Sequence, residues 1–333
     1  MIELNQPKFR AKQIYEWLHI HHVADYDEMT NLPIALRNAL KEKFPLFALS
    51  IADKQVSIDG TRKYVLNLAD GQRIETVGMP SYQISSDSAV GKLSVCVSSQ
   101  VGCAMQCDFC ATGKEGFTRN LTAEEITDQV LVVQNDFQTR VSSVVVMGQG
   151  EPFQNYENVM KALRILNSAE SFNIGARHIT LSTCGLITGI NKLAREPEQF
   201  TLAISLHSAI QKKRDKLMPR VMSQKLGMLK QALIDYVEAT NRRVSLEYLL
   251  IAKVNDSAED LDALIDFAKG LHCHVNLLPM NSITGSSYKP SSDSTAKYWM
   301  NALSRNGTET TIRISRGSDI CGACGQLKNS LKS

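Results

Sequence analysis

Eight cysteines occur in a chain of 333 residues, and three of them crowd into one short segment, Cys103-Ala-Met-Gln-Cys107-Asp-Phe-Cys110. In a reducing compartment, clustered cysteines bind metal or do chemistry more often than they form structural disulfides. Three thiolates in one loop can hold three corners of an iron–sulfur cube. A cube has four corners, so this spacing leaves one iron open to a small-molecule ligand. Zinc is the alternative. It takes four ligands, usually as two close cysteine pairs, and a C-x3-C-x2-C segment supplies three with no fourth nearby. The spacing favours the cluster, [4Fe-4S], on Cys103, Cys107 and Cys110.

The remaining cysteines divide by context. Cys184 and Cys273 sit in apolar, strand-like runs and read as small buried hydrophobes. Cys96 lies in Ser94-Val-Cys-Val-Ser, where strand alternation can face it to a core. Cys324 lies in Asp319-Ile-Cys-Gly-Ala-Cys-Gly-Gln-Leu327, a glycine-rich segment near the end of the chain. An exposed, mobile thiol in such a loop suits a nucleophile. Cys321-x-x-Cys324 reads equally as a redox pair or half of a metal site.

Elements able to position these groups follow from periodicity. From Lys92 on, strand-like runs (93–97, 142–147, 178–183, 201–206, 244–252, 273–278) alternate with amphipathic helical stretches, and a last strand-like run covers 310–315. Six βα repeats predict an α/β fold, a parallel sheet curled into a partial (βα)6 barrel spanning 92–315. A doubly wound open sheet has the same periodicity. Ahead of the barrel, residues 1–46 predict a small helical module, and 47–91 a β-rich connector ending in the polar loop 83–91. Residues 316–333 form a tail. In a barrel, the active site lies at the C-terminal strand ends. Those ends read Met147-Gly-Gln-Gly150-Glu151-Pro152, Leu181-Ser182-Thr183, Ser205-Leu206-His207 and Pro279-Met280-Asn281. They nominate Gly150, Glu151, Ser182, Ser205, Leu206, His207 and Asn281 as ligand-binding positions. Singly, each reads as well as an ordinary turn or strand-end residue satisfying backbone groups.

Bulk properties narrow the class. Hydrophobic content of 43% is ordinary for a globular protein, and a net charge of +3 permits a polyanionic partner without demanding one. No apolar run is long enough to span a bilayer, and the first residues do not read as a secretory leader. A cytoplasmic protein with no membrane association is expected. The densest basic run, Lys212-Lys-Arg-Asp-Lys216 with Arg220, follows the fourth strand. It reads either as a phosphate-binding patch or as a solvated helix end.

Phe109 stands where the radical S-adenosylmethionine (SAM) superfamily typically carries an aromatic residue beside its cluster. Over nearly its whole length the chain resembles the RlmN/Cfr family of radical SAM RNA methyltransferases. The motifs include Phe9-Arg-Ala-Lys-Gln13, Arg73-Ile-Glu75-Thr-Val, Cys96-Val-Ser-Ser-Gln-Val-Gly-Cys103, Gly150-Glu-Pro, Ile204-Ser-Leu-His207 and Ala323-Cys-Gly-Gln-Leu327. The resemblance implies two uses of SAM. One SAM methylates Cys324. A second, on the cluster, yields a radical that takes hydrogen from that methyl group, and the methylene then bonds to an adenine ring carbon. Cys96 accepts the proton and closes a disulfide with Cys324, and Glu75 matches a family carboxylate with a proton-accepting role. Met147 matches a residue lining the pocket. The implied substrate is an adenosine of 23S rRNA, with tRNA in some members, and the implied partner is a reductant such as flavodoxin or ferredoxin. A monomer is expected. Pro152 favours carbon 2; carbon 8, or a non-RNA substrate, is the alternative. Gln149, Cys321, Met280 and Ser282 depart from the family pattern.

Overall fold

In the computed structural model, the described residues are 1–333 except 2, 22, 24, 45, 47, 83–89, 284 and 330–333. The polar loop expected at 83–91 therefore lies largely outside them. The strands are β1 (Ser50–Val56), β2 (Arg62–Asn67), β3 (Arg73–Tyr82), β4 (Val90–Cys96), β5 (Gln100–Gly102), β6 (Phe117–Asn120), β7 (Val141–Val146), β8 (Ile179–Thr183), β9 (Thr201–Ser205), β10 (Val244–Leu250), β11 (Cys273–Pro279) and β12 (Glu309–Ile312). The helices are α1 (Phe9–His19), α2 (Ile34–Lys43), α3 (Ala111–Glu115), α4 (Ala123–Phe137), α5 (Tyr156–Asn167), α6 (Ile187–Leu193), α7 (Gln211–Leu217), α8 (Leu226–Thr240), α9 (Ala258–Ala268) and α10 (Asp293–Arg305).

Ten strands form one sheet in the order β1-β2-β3-β4-β7-β8-β9-β10-β11-β12. From β4 onward every neighbouring pair is parallel. The strand order never reverses, so the sheet winds one way and has no topological switch point, unlike a doubly wound sheet. This is the partial barrel, with a helix on each crossover. The residues expected to form a β-rich connector pair antiparallel as β1, β2 and β3 and continue the barrel sheet through the β3–β4 pair.

Strand alternation assigns the two faces. Leu181, Leu202, Leu246 and Val275 are buried in the large apolar cluster beneath the helices. On the alternate positions of the same strands, Thr180, Ser182, Ser205, Glu247 and Asn276 turn to the barrel interior, where they line cavities. The interior of this barrel is polar where a fully closed barrel would be filled by aliphatic side chains.

The N-terminal helices have their own apolar cluster of Val23, Tyr26, Met29, Leu32, Leu36 and Leu40. The chain enters the sheet past α4, where the amide of Ala48 donates to Asp128 Oδ2 at 2.7 Å. Burial pushes the Asp128 carboxyl up to about 6, and Glu124 and Glu125 add to the rise. Its folded value thus exceeds its unfolded one. The ionised group opposes folding fully above about pH 6, and the penalty is gone below the unfolded pKa of roughly 4. Asp128→Asn keeps an acceptor for Ala48 and should stabilise the protein at pH 7.5, on the order of 2 kcal/mol. Thermal unfolding across pH should show that gain fading as the pH falls below about 5.

Candidate active site

The cysteine loop leaves β5 and is held on every side. The amide of Cys103 donates to Gly116 O at 2.7 Å, and that of Asp108 to Leu217 O at 3.0 Å, at the end of α7. Arg220 Nε donates to Gln106 Oε1 at 2.8 Å, and Tyr288 Oη to Asp108 Oδ2 at 2.5 Å. The Phe109 ring meets His207 edge-on, with centroids 4.6 Å apart. Helix α3 lies so close on the loop that a Cβ at Gly113 would stand 2.9 Å from the Cys107 nitrogen. Only glycine allows that approach.

The thiols of Cys103, Cys107 and Cys110 line one cavity of about 160 Å³. Burial pushes Cys103 up to about 12 and Cys107 well above its ordinary range. Such thiols become thiolates on binding a metal centre that displaces their protons. Gly150, Glu151, Ser182, Ser205 and His207 line the same cavity. Glu151 is buried; its carboxylate accepts from Phe153 N at 3.0 Å and Cys184 N at 2.7 Å. His207 Nδ1 accepts from Leu249 N at 3.1 Å, which leaves the hydrogen on Nε2. Burial, then the charge of Arg214, holds His207 down to about 3, so the ring is neutral.

A second cavity of about 470 Å³ adjoins the first and shares Cys110, Met147, Arg313 and Cys324 with it. Cys96 and Asn281 line it. Two thiols far apart in sequence therefore share one wall system, with Cys324 on both cavities. Burial raises Cys96 to about 12, the neighbouring Cys324 raises it further, and Arg313 opposes both.

Other expected positions lie elsewhere. Leu206 is fully buried in the apolar core and lines neither cavity. Asn281 lies on the larger cavity, where Nδ2 donates to Cys324 O at 3.2 Å. Glu75 lines neither cavity. It is fully buried, pairs with the buried Lys63 at 3.2 Å, and accepts from Lys328 N at 2.8 Å. The glycine at 150 serves packing as well: a Cβ there would strike Gln100 Cβ at 2.7 Å. Gln149 is buried beside Glu75, whose amide donates to its Oε1 at 3.1 Å.

The tail is tied down and not the free loop expected from its glycines. Gly325 O accepts from Ala111 N at 2.7 Å, and Leu327 O from Thr112 Oγ1 at 2.7 Å. Gln326 Nε2 donates to Ser282 O at 2.9 Å. Cys321 is exposed and lines neither cavity. The basic run also splits. Lys212, Lys216 and Arg220 are exposed, Lys213 pairs with Asp260 at 2.6 Å, and Arg214 is completely buried.

Three further residues belong to the site. Cys184 is buried as expected, yet lines the cysteine cavity, with Sγ 3.3 Å from Met105 Sδ. Arg313, beyond β12, and Glu247, on β10, line both the cysteine cavity and a third one deeper in the barrel. Glu247 carried a legible signal, a charge in the middle of an apolar strand run.

Residues 97–268 match the model of the radical SAM superfamily, and residues 1–46 that of the ribosomal RNA large subunit methyltransferase N-terminal domain. The chain is 44% identical over 325 residues to a probable dual-specificity RNA methyltransferase RlmN of Clostridium novyi, covering 97% of this chain and 92% of that one. The chain belongs to the RlmN family. The family member of the same printed name from Staphylococcus aureus is 45% identical, over 98% of this chain and 89% of its own. A crystal structure of a radical SAM methyltransferase from Sphaerobacter thermophilus superposes with a TM-score of 0.91 at 42% identity, covering 97% of this chain and 94% of the other. Membership in this radical SAM family implies a 4Fe–4S cluster and SAM. The residues present fit them: an all-sulfur donor set on one loop tied down by hydrogen bonds, facing a cavity walled by a neutral imidazole, hydroxyls and a carboxylate. No helix among the described residues is long and apolar enough to cross a membrane.

Truncating Glu75 should both weaken the fold and release the tail. Lys63 would be left buried without its partner, a loss of about 3–5 kcal/mol. Glu75→Ala should show that loss in urea unfolding, together with faster trypsin cleavage within 316–329.

Proposed function

We propose that the chain methylates a ring carbon of adenine, carbon 2, in RNA, with Cys324 as the methyl carrier and Cys96 as its partner thiol. The observation that carries this reading is the cavity shared by Cys96 and Cys324, continuous with the wall of the Cys103–Cys107–Cys110 loop. A ring carbon of adenine is a poor nucleophile, so a simple displacement from SAM does not suffice, and a thioether on the chain itself supplies the carbon instead. Bound at the cysteine loop, the cluster and SAM supply a hydrogen-abstracting radical, given an electron by a low-potential donor such as flavodoxin or ferredoxin.

The chain's own residues do the rest. Cys103, Cys107 and Cys110 hold the cluster. Gly150 and Glu151, with Ser182, Ser205 and His207, surround SAM, and neutral His207 offers it a donor at Nε2. Asn281 fixes the backbone of Cys324 and so aims its sulfur. Cys96 acts as base toward the adduct carbon, whose odd electron would return to the bound cluster. Once deprotonated again, the Cys96 thiolate attacks Cys324 sulfur, the S–S bond forms as the S–C bond breaks, and the released carbon takes up a proton to become the methyl group. Glu75 acts on this geometry through the tail it anchors. Pro152 supports carbon 2, and 23S rRNA with tRNA is the proposed substrate class. The relatives' name, dual-specificity RNA methyltransferase, and the match of residues 1–46 to the ribosomal RNA large subunit methyltransferase N-terminal domain support an RNA substrate. Residues 1–46 dock RNA, the tail 316–333 presents the carrier thiol, and the protein works in the cytoplasm as a monomer.

Cys324→Ala should abolish RNA methylation while leaving iron content and reductive SAM cleavage intact; full RNA methylation by this variant would overturn the reading. Cys96→Ala should stall after carbon–carbon bond formation and leave RNA covalently attached to Cys324, seen as a denaturing gel shift. Among the basic run, phosphate contacts fall to Lys212, Lys216 and Arg220. Replacing all three by Ala should flatten the log–log salt dependence of RNA binding by about 2, at roughly 0.7 per lost contact on single strands.

A further inference from the structure

Arg214 projects from α7 into the protein and has no exposed surface. Its Nη2 donates to the carbonyl of Cys184 at 2.6 Å. Its Nε and Nη1 are sealed from solvent and have no hydrogen-bond partner among the described residues. The adjacent Asp215 is engaged with Gln211 at 2.6 Å. Apart from Asp215, the groups whose charge bears favourably on the guanidinium are the thiols of Cys184 and Cys107. Burial holds the guanidinium below its usual range. Arginine does not shed its proton in proteins, however, so an uncompensated buried one costs several kcal/mol. The position calls for an anion that none of the described side chains supplies. Of the buried carboxylates on the cavity, Glu151 already accepts from two backbone amides, and Glu247 from Ser245 and Asn276.

The geometry says where that anion lies. Helix α7 is docked on the cysteine loop through the Asp108 N–Leu217 O bond. Leu217, Met218 and Val221 pack in one apolar cluster with Cys103 and Met105, and Cys107 rests against it. Arg214 therefore backs the loop from the protein side, and it does not line the cavity from which SAM would reach it. Three thiolates make a cluster on this loop net anionic, and one-electron reduction adds another negative charge. Cluster potentials respond to local charge and hydrogen bonding.

We propose that Arg214 is the fixed countercharge of the cluster on Cys103, Cys107 and Cys110, and that it raises that cluster's affinity for the electron delivered by a low-potential one-electron donor. The cluster gains one electron, the donor loses one, and no bond is made or broken. The proposal rests on the cluster reading above. Arg214 is neither a ligand nor a substrate contact, and it acts through charge from behind.

The test uses the full chain, reconstituted anaerobically without SAM, with iron content and an EPR-monitored redox titration as readouts. Arg214→Met should retain iron but lower the reduced-to-oxidised ratio at a given potential at least tenfold, a shift of about 59 mV in the negative direction. Arg214→Lys should hold iron and stay within threefold of the parent. An Arg214→Met variant with full iron and an unchanged ratio overturns the proposal, and weakened SAM binding in that same variant would assign the arginine to SAM instead. Should Arg214→Met fail to hold iron, Arg214→Lys decides: iron with a parental ratio supports a charge role, and an empty or tenfold-shifted lysine variant overturns it. Parent protein without iron would instead remove the cluster reading itself.

Discussion

The end of the chain is hydrogen-bonded to the helix that leaves the third cluster cysteine, and the site depends on that contact. Ala111 and Thr112, directly after Cys110, hold the carbonyls of Gly325 and Leu327. Glu75, buried in β3, holds the amide of Lys328. Each such bond contributes only about 1 kcal/mol net, but together they set Cys324 against the loop that grips the cluster. Metal binding and folding are coupled wherever ligands sit on one short loop. Here the coupling extends to the tail, because the tail's partners are the loop's own continuation. A loosened cysteine loop would also misplace a thiol more than two hundred residues away.

The sheet makes this arrangement affordable by sorting residues with its period of two. Aliphatic side chains on β8, β9, β10 and β11 face the helices and provide the apolar burial. The alternate positions carry Ser182, Ser205, Glu247 and Asn276 into the interior. Sequential parallel winding brings all their C-terminal ends to one rim, and the cysteine loop follows β5 at that rim. Burial then acts in one direction on the titratable groups there: thiols are held as thiols and His207 as neutral imidazole. The cavity is low in net charge until an anionic centre occupies it. The arginines beside it, Arg214 behind the loop and Arg313 on the wall, are then the cations that meet that charge.

Much of this was legible in the sequence, and the misses share a cause. The barrel strands and the longer crossover helices from 93 to 312 follow from local periodicity, while the short β5, β6, α3 and α7 do not; Cys103, Cys107 and Cys110 follow from spacing within one loop. The rim residues Glu151, Ser182, Ser205 and His207 followed from placing strand ends on a barrel. What stayed hidden required knowing which distant backbone groups meet. Glycines around Cys324 suggest mobility, yet the segment's carbonyls find donors on α3. Glu75 looks like a site carboxylate by its motif, but the antiparallel pairing of β2 with β3 sets it beside Lys63 and under the tail. Arg214 sits in a run that looks uniformly basic and solvated, and only the packing of α7 turns one of its residues inward. Leu206 differs again: its neighbours Ser205 and His207 line the cavity, and alternation alone sends its side chain to the core.

A thiol held this firmly must serve more than one partner without travelling. Cys324 lines both cavities, and its carbonyl is pinned by Asn281 from one side while Gly325 is pinned by Ala111 from the other. Side-chain rotation about a fixed backbone moves a sulfur by a few ångströms at most, enough to turn from the cluster-side cavity to the wall that carries Cys96. On the proposed reading, the methyl donor and the base are therefore brought to the sulfur, each through its own cavity, and the sulfur is not carried between them. This fixes the order of the pockets. The smaller cavity beside the cysteine loop suits SAM, because Cys103, Cys107 and Cys110 line it. The larger one suits a nucleotide extruded from an RNA strand. Cys324 stands on the wall between them with Cys110, Met147 and Arg313, and restraint of its backbone is what allows two chemistries to share one carbon without mixing their substrates.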